Sequence, residues 1–328
     1  MIDLHLHLDG SLSPKLLMKL ASLEGVSLPA KEEKELLPYL SAPEDCASLN
    51  EYLEKFDLPV SCIQSEESLA EAGRGLTEEL AAEGLLYAEI RFAPQLHLQK
   101  GLSQEQVIQA VIRGLQKGRE ENGLKTGLIL CCMRGSQNKK ENLETVRLAG
   151  DYLNKGVCGL DLAGAEALFP TGQFADLFSL AKRRGIPFTI HAGEASGPQS
   201  VWKALEFGAA RIGHGVRSVE DPELLKALRE RRTTLEICVT SNYQTKAVPA
   251  GKSPALALLR QGIAVTANTD NRTVSGTTLA REFARLRDMG MTREEERTLL
   301  QNAVHAAFLG PEEKEALWKK VCRRLETS

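Results

Sequence analysis

The chain has 328 residues and a formal net charge of −3, with 42% hydrophobic and 26% charged residues. That balance describes a globular protein long enough to bury a substantial core. No Lys/Arg block stands clear of acidic neighbours, which argues against a nucleic-acid partner, and no apolar run approaches the roughly 18–20 residues that span a bilayer, which argues against a membrane one.

The first ten residues, MIDLHLHLDG, place Asp3, His5 and His7 inside the first apolar stretch, unlike the basic start and long apolar core of a secretory leader. The expected location is therefore cytoplasmic. Short apolar runs recur at 2–6, 86–93, 125–132, 157–163, 187–191, 210–213, 234–238 and 264–268, most of them bounded by Gly, Pro or Asn. Helical periodicity fills the gaps at 104–119, 139–154, 172–184, 198–207, 221–231 and 254–261. Eight strand-then-helix units predict an α/β fold, the (β/α)8 TIM-type barrel. A doubly wound sheet competes, but no glycine-rich phosphate loop follows the first strand.

Two parts fall outside the repeat. Residues 11–84 read as a helical insertion after strand 1, placed to serve as a lid. Residues 277–328 read as terminal helices that complete the outer ring. The whole span, 1–328, is expected to be a single barrel domain. Seven cysteines are irregularly spaced, with no CxxC pair. Cys131, Cys132, Cys158 and Cys238 sit in apolar runs and are expected to be buried thiols in a reducing compartment.

Functional groups of this fold sit at the C-terminal ends of its strands. Four of the six histidines, His5, His7, His191 and His214, occupy such ends. His5 and His7 point to one face because side chains on a strand alternate. With His191 and Asp270 they make a candidate metal set of four ligands plus water. Imidazole and carboxylate suit zinc, while iron, cobalt and manganese remain open on ligand type alone. Glu194 can shuttle protons beside such an ion; its plain alternative is a surface Glu opening a helix. His214 reads as a base, a group steering the water, or a further ligand. Glu89 and Arg91 alternate along strand 2 and read as a buried pair, while His97 in a polar loop and His305 on a helix read as uninvolved.

In order, the segments LHLHLDGSL (4–12), YAEIRFAPQLH (87–97), GLDLAGAE (159–166), IHAGE (190–194), RIGHGVR (211–217), LEICVTSN (235–242) and NTDN (268–271) resemble the adenosine deaminase family of metal-dependent amidohydrolases. The resemblance implies hydrolytic deamination of adenosine and 2′-deoxyadenosine, a step of purine salvage, with one zinc ion activating the water that attacks purine C6. It implies that Glu194 protonates N1 and that His214 and Asp270 act on the attacking oxygen. It also implies that the Gly164 N–H meets N3, that Asp9 accepts a ribose hydroxyl, that His7 also contacts the substrate, and that Asn271 faces N7. Three positions depart from the family pattern. Asn271 stands where many members have a second aspartate, Ala165 where many have an acid, and Val239 where a proline is common. An Asn amide donates to N7 without needing protonation. Deamination of another purine (adenine, AMP or a modified adenosine) and a non-catalytic nucleoside-binding barrel are the competing readings. Oligomeric state is not legible.

Overall fold

Among the described residues, the strands pair in parallel and in sequence order within two sheets. The computed structural model describes residues 1–43, 46, 48–249 and 251–327. Residues 44, 45 and 47 of the expected insertion, residue 250, and residue 328 of the expected terminal helices lie outside the described residues. The strands are β1 (Ile2–His7), β2 (Tyr87–Phe92), β3 (Thr126–Met133), β4 (Val157–Ala163), β5 (Thr189–Ala192), β6 (Arg211–His214), β7 (Thr234–Ile237) and β8 (Val265–Ala267). They form two four-stranded sheets in sequence order. Bridges from Leu160 to Phe188 and from Leu6 to Asp270 join the sheets at both edges, closing the barrel. The eight apolar runs therefore locate the strands to within two residues. They read as nearly unbroken apolar stretches because helices cover the outer face and the barrel interior buries the other.

The helices are α1 (Pro14–Glu24), α2 (Glu33–Leu40), α3 (Leu49–Leu53), α4 (Asp57–Ser61), α5 (Glu66–Ala82), α6 (Gln104–Asn122), α7 (Lys139–Asp151), α8 (Ala175–Arg183), α9 (Pro198–Phe207), α10 (Pro222–Arg231), α11 (Val239–Gln244), α12 (Ala255–Arg260), α13 (Leu279–Asp288), α14 (Arg293–Ala306) and α15 (Pro311–Thr327). Local chemistry fixes several ends. Ser65, Ser103 and Thr292 begin α5, α6 and α14 with reciprocal capping boxes, which satisfy otherwise orphaned N–H groups. None of the described helices is long and apolar enough to cross a membrane.

The insertion does two jobs. Helix α5 packs along α6 in the outer ring, whereas α3 and α4 roof the C-terminal mouth of the barrel. At the other end of the chain, α14 packs on β8 and β1, closing the ring where the barrel closes.

The barrel interior carries charge. Arg91 donates to Asp161 at 2.8 Å, to Glu236 at 3.0 Å and to the Leu4 carbonyl at 2.6 Å. Arg211 reaches Glu236 at 2.5 Å and Glu89 at 2.6 Å. All five side chains are buried. The expected Glu89–Arg91 pair is therefore corrected: each finds its counter-charge across the barrel, because neighbours on one strand face point into the interior rather than at each other.

Candidate metal and catalytic site

The ends of β1, β5, β6 and β8 deliver their histidines and Asp270 to one point. His7, Asp9, Gly164, His191, Glu194, His214, Asp270 and Asn271 line a single cavity of about 380 Å³. His5 lies fully buried beneath them. His214 and Asp270 both adopt left-handed backbone conformations, with φ of 62° and 60°. Such strain in non-glycine residues costs about 1–3 kcal/mol each and persists where the surroundings over-determine it.

The donor atoms are close enough to share an ion. Nε2 of His7 and Nε2 of His191 lie 3.2 Å apart. Asp270 Oδ1 is 3.4 Å from His5 Nε2 and 3.5 Å from His7 Nε2. Ligands bonded at about 2.0–2.2 Å to one ion stand at such separations. His5 Nε2 is buried and has no hydrogen-bond partner, a cost that a metal bond removes. His5, His191, His214 and Asp270 also form a group whose donors all lie within 4.8 Å. Two sets of four thus compete, with His7 or His214 as the fourth member. The 3.2 Å spacing favours His7, and His214 has a different neighbour, since its Nε2 is 3.6 Å from Glu194 Oε2.

Three of the four imidazoles are aimed by the other nitrogen. Nδ1 of His5 bonds Glu236 at 2.8 Å, Nδ1 of His191 lies 3.0 Å from Asp161, and Nδ1 of His214 lies 2.9 Å from the Asn242 amide. Ser241 Oγ donates to Asp270 Oδ2 at 2.6 Å, leaving Oδ1 toward the histidines. Partners of this kind fix tautomer and ring orientation at metal sites. Burial, against the raising influence of Asp270, holds the His7 and His214 rings far below the usual imidazole range, so both are neutral at pH 7. Burial acts on Asp270 in the opposite direction, but hydrogen bonding and charge from His5 outweigh it, and the carboxylate is ionised.

Glu194 is buried, and that burial, reinforced by the Asp270 charge, pushes its carboxyl up to about 8. Thr245 Oγ1 donates to its Oε1 at 2.9 Å. Glu194 does not open a helix, because α9 begins only at Pro198. It stands on a loop held by Glu166, whose carboxylate accepts the N–H groups of Gly193, Glu194, Ala195 and Ser196 at 2.8–3.1 Å. Glu166 went unrecognised in the sequence, although its place three residues past the β4 strand end is a signal of the same kind as Glu194 after β5.

The substrate-facing residues have local reasons for their identity. Gly164 has φ of +103°, which only glycine adopts without strain, whereas an added Cβ would meet Met133 at 3.3 Å. Conformation, more than space, requires glycine there. Gly10 is tighter: a Cβ would lie 1.9 Å from Asn271 Oδ1, so Asn271 sits where it does because residue 10 has no side chain. The Asn271 oxygen is buried without a partner. Ala165 is half-buried and lines a separate cleft, while Glu166 beside it supplies the buried acid. Val239 is the first residue of α11, where a proline is equally tolerated because that N–H is an orphan anyway.

Of the residues read as uninvolved, His305 is exposed. His97 is not in a polar setting: it is fully buried, with Nδ1 3.0 Å from the Ile63 carbonyl, and it props the segment entering α5. All seven cysteines are free thiols; Cys158 and Cys322 are half-buried and the rest buried, so the expected full burial of Cys158 does not hold.

The roof supplies Leu49, Tyr52, Leu53, Phe56, Asp57 and Val60 to the cavity. Tyr52 Oη lies 2.6 Å from Ser275 Oγ, tying α3 to the segment after β8.

Comparison with known proteins identifies the family. The adenosine deaminase family model matches residues 1–324. An adenosine deaminase of Haemophilus ducreyi is 50% identical over 98% of this chain and 96% of its own length. One of Enterococcus faecalis is 41% identical over 98% and 95%. Among solved structures, an adenine deaminase from Arthrobacter aurescens superposes with a TM-score of 0.89 at 27% identity, covering 99% of this chain and 98% of that one. An Arabidopsis N6-mAMP deaminase does so at 0.85 and 27%, covering 100% and 97%. With the family model spanning nearly every residue and half of all positions shared with a full-length relative, this chain belongs to the adenosine deaminase family.

Proposed function

We propose that the chain deaminates adenosine and 2′-deoxyadenosine hydrolytically, releasing ammonia and the 6-oxo nucleoside, with zinc held by His5, His7, His191 and Asp270. The observation that carries this reading is the buried Glu194 carboxyl beside the donor set, kept in its acid form near neutral pH. A bound zinc ion supplies Lewis acidity, lowering the pKa of a coordinated water to about 7.

The chain's own groups handle the protons. Glu194 gives its proton to purine N1, making C6 electrophilic, and takes one from the water whose oxygen bonds to C6. With the Asn242 amide donating to Nδ1, the His214 ring proton sits on Nε2 and donates to that oxygen. Asp270, ionised, accepts from it. The remaining O–H proton passes to the amino nitrogen as the C6–N bond breaks. Ammonia leaves, C6=O and N1–H remain, and Glu194 is again protonated. The Gly164 N–H and the Asn271 amide serve N3 and N7, and Asp9 and His7 the ribose. The free thiols support a cytoplasmic location.

Zinc content measured beside adenosine turnover tests both assignments. His214→Ala is expected to keep close to one equivalent of zinc while losing turnover. His7→Ala is expected to bind zinc at least about tenfold more weakly. The reverse pattern would make His214 the ligand and remove it from the chemistry.

A further inference from the structure

The cavity extends from the donor set up to the roof formed by α3 and α4. Asp57, the first residue of α4, lines the cavity from the roof. Helix α4 packs against the turn Asp9–Ser11, and Asp57 and Asp9 both line the cavity. Asp9 is buried and accepts the neighbouring Gly10 N–H at 3.1 Å. Asp57 is exposed to the opening. Among the described residues, no Lys or Arg lines this cavity; Arg217 and Lys246 line a separate cleft on the Glu194 side. A purine whose C6 lies at the donor set directs N9 and its sugar away from the metal, toward this acidic end.

We propose that Asp57 is a specificity-determining residue that excludes 5′-phosphorylated substrates. The inference rests on the nucleoside reading given above and deepens it. A phosphate monoester brings a charge of about −1.5 to −2 at pH 7. At this end it meets Asp57 in the opening and Asp9 below, with no cation to receive it. A neutral 5′-hydroxyl meets carboxylates that accept its hydrogen bond. Discrimination of this kind comes from a repulsive element rather than a better fit. Because Asp57 faces solvent, its contribution is screened by salt, with the Debye length falling from about 30 Å at 0.01 M to about 8 Å at 0.15 M.

The test is the inhibition constant of AMP against adenosine turnover, divided by the KM for adenosine, in wild type, Asp57→Asn and Asp57→Lys. At about 10 mM ionic strength, Asp57→Lys is expected to lower that ratio by on the order of tenfold, and Asp57→Asn by less in the same direction. Both gains shrink at about 300 mM salt. A ratio within twofold of wild type for Asp57→Lys at low salt overturns the proposal, and so does a gain that salt leaves unchanged, since that points to shape instead of charge. If the wild-type protein turns over no adenosine, the nucleoside reading fails first, and the two failures are thereby distinguished.

Discussion

Glu194→Gln is expected to fold and to hold its metal, yet to lose about 10²–10⁴-fold in kcat/KM for adenosine. The substitution keeps size and shape, and the Thr245 hydroxyl can still donate to the amide oxygen that replaces Oε1. The loop also survives, because Glu166 holds it through backbone N–H groups. What disappears is the transferable proton. A Gln amide can offer N1 a hydrogen bond but cannot protonate it, and it cannot take a proton from water. Steady-state kinetics on metal-loaded variant reads this directly. A loss below about threefold at full zinc occupancy would remove Glu194 from the proton path.

The second large effect is expected far from the substrate. Glu236→Gln should lower the unfolding free energy by about 3–5 kcal/mol. Glu236 is completely buried and receives Arg91, Arg211 and His5 together. The two guanidinium groups outweigh the cost of burying its carboxylate, keeping it ionised well below the usual range. In the variant, Asp161 and Glu89 still face the two arginines, but one full charge is missing between two buried cations. Gln also keeps one acceptor oxygen for the three donors His5, Arg91 and Arg211, so the hydrogen bond that aims His5 is weakened and zinc affinity should fall about 10–100-fold. Denaturant unfolding of the metal-free protein separates the first effect from the second. A stability loss under about 1 kcal/mol, together with unchanged zinc affinity, would mean that the interior ion network contributes neither.

The sequence announced most of this architecture because its signals were local. Eight apolar runs bounded by turn residues suffice to mark eight strands, and Ser65, Ser103 and Thr292 mark helix starts by side chain alone. His5-x-His7 declared itself through the period of a strand. What stayed hidden depends on distance across the fold. Nothing local says that Glu89 faces Arg211 on β6, or that Arg91 faces Asp161 on β4. Glu166 looks like any loop acid until four backbone N–H groups from another loop converge on it. His97 lay in a stretch that reads as polar, and its burial comes from the segment ending at Ile63 folding over it. Asp57 carries no motif at all. It reaches the cavity only because α4 forms part of the roof.

Asn271 illustrates the middle case. The resemblance placed it at purine N7 and flagged it as a departure. The structure adds what makes room for the side chain: position 10 is glycine, and Asn271 lines the cavity together with Asp270. A neutral amide also adds no further carboxylate beside Asp270 and Glu194. That spares the site the like-charge repulsion a second aspartate brings.

The most direct test of the central claim is the rate of loss of the 6-amino group from adenosine and from adenine, with zinc-loaded and with chelator-stripped protein. The account predicts that adenosine is the faster substrate, that stripping abolishes its turnover, and that added zinc restores it. Adenine outpacing adenosine, or adenosine turnover that survives complete removal of metal, would contradict it.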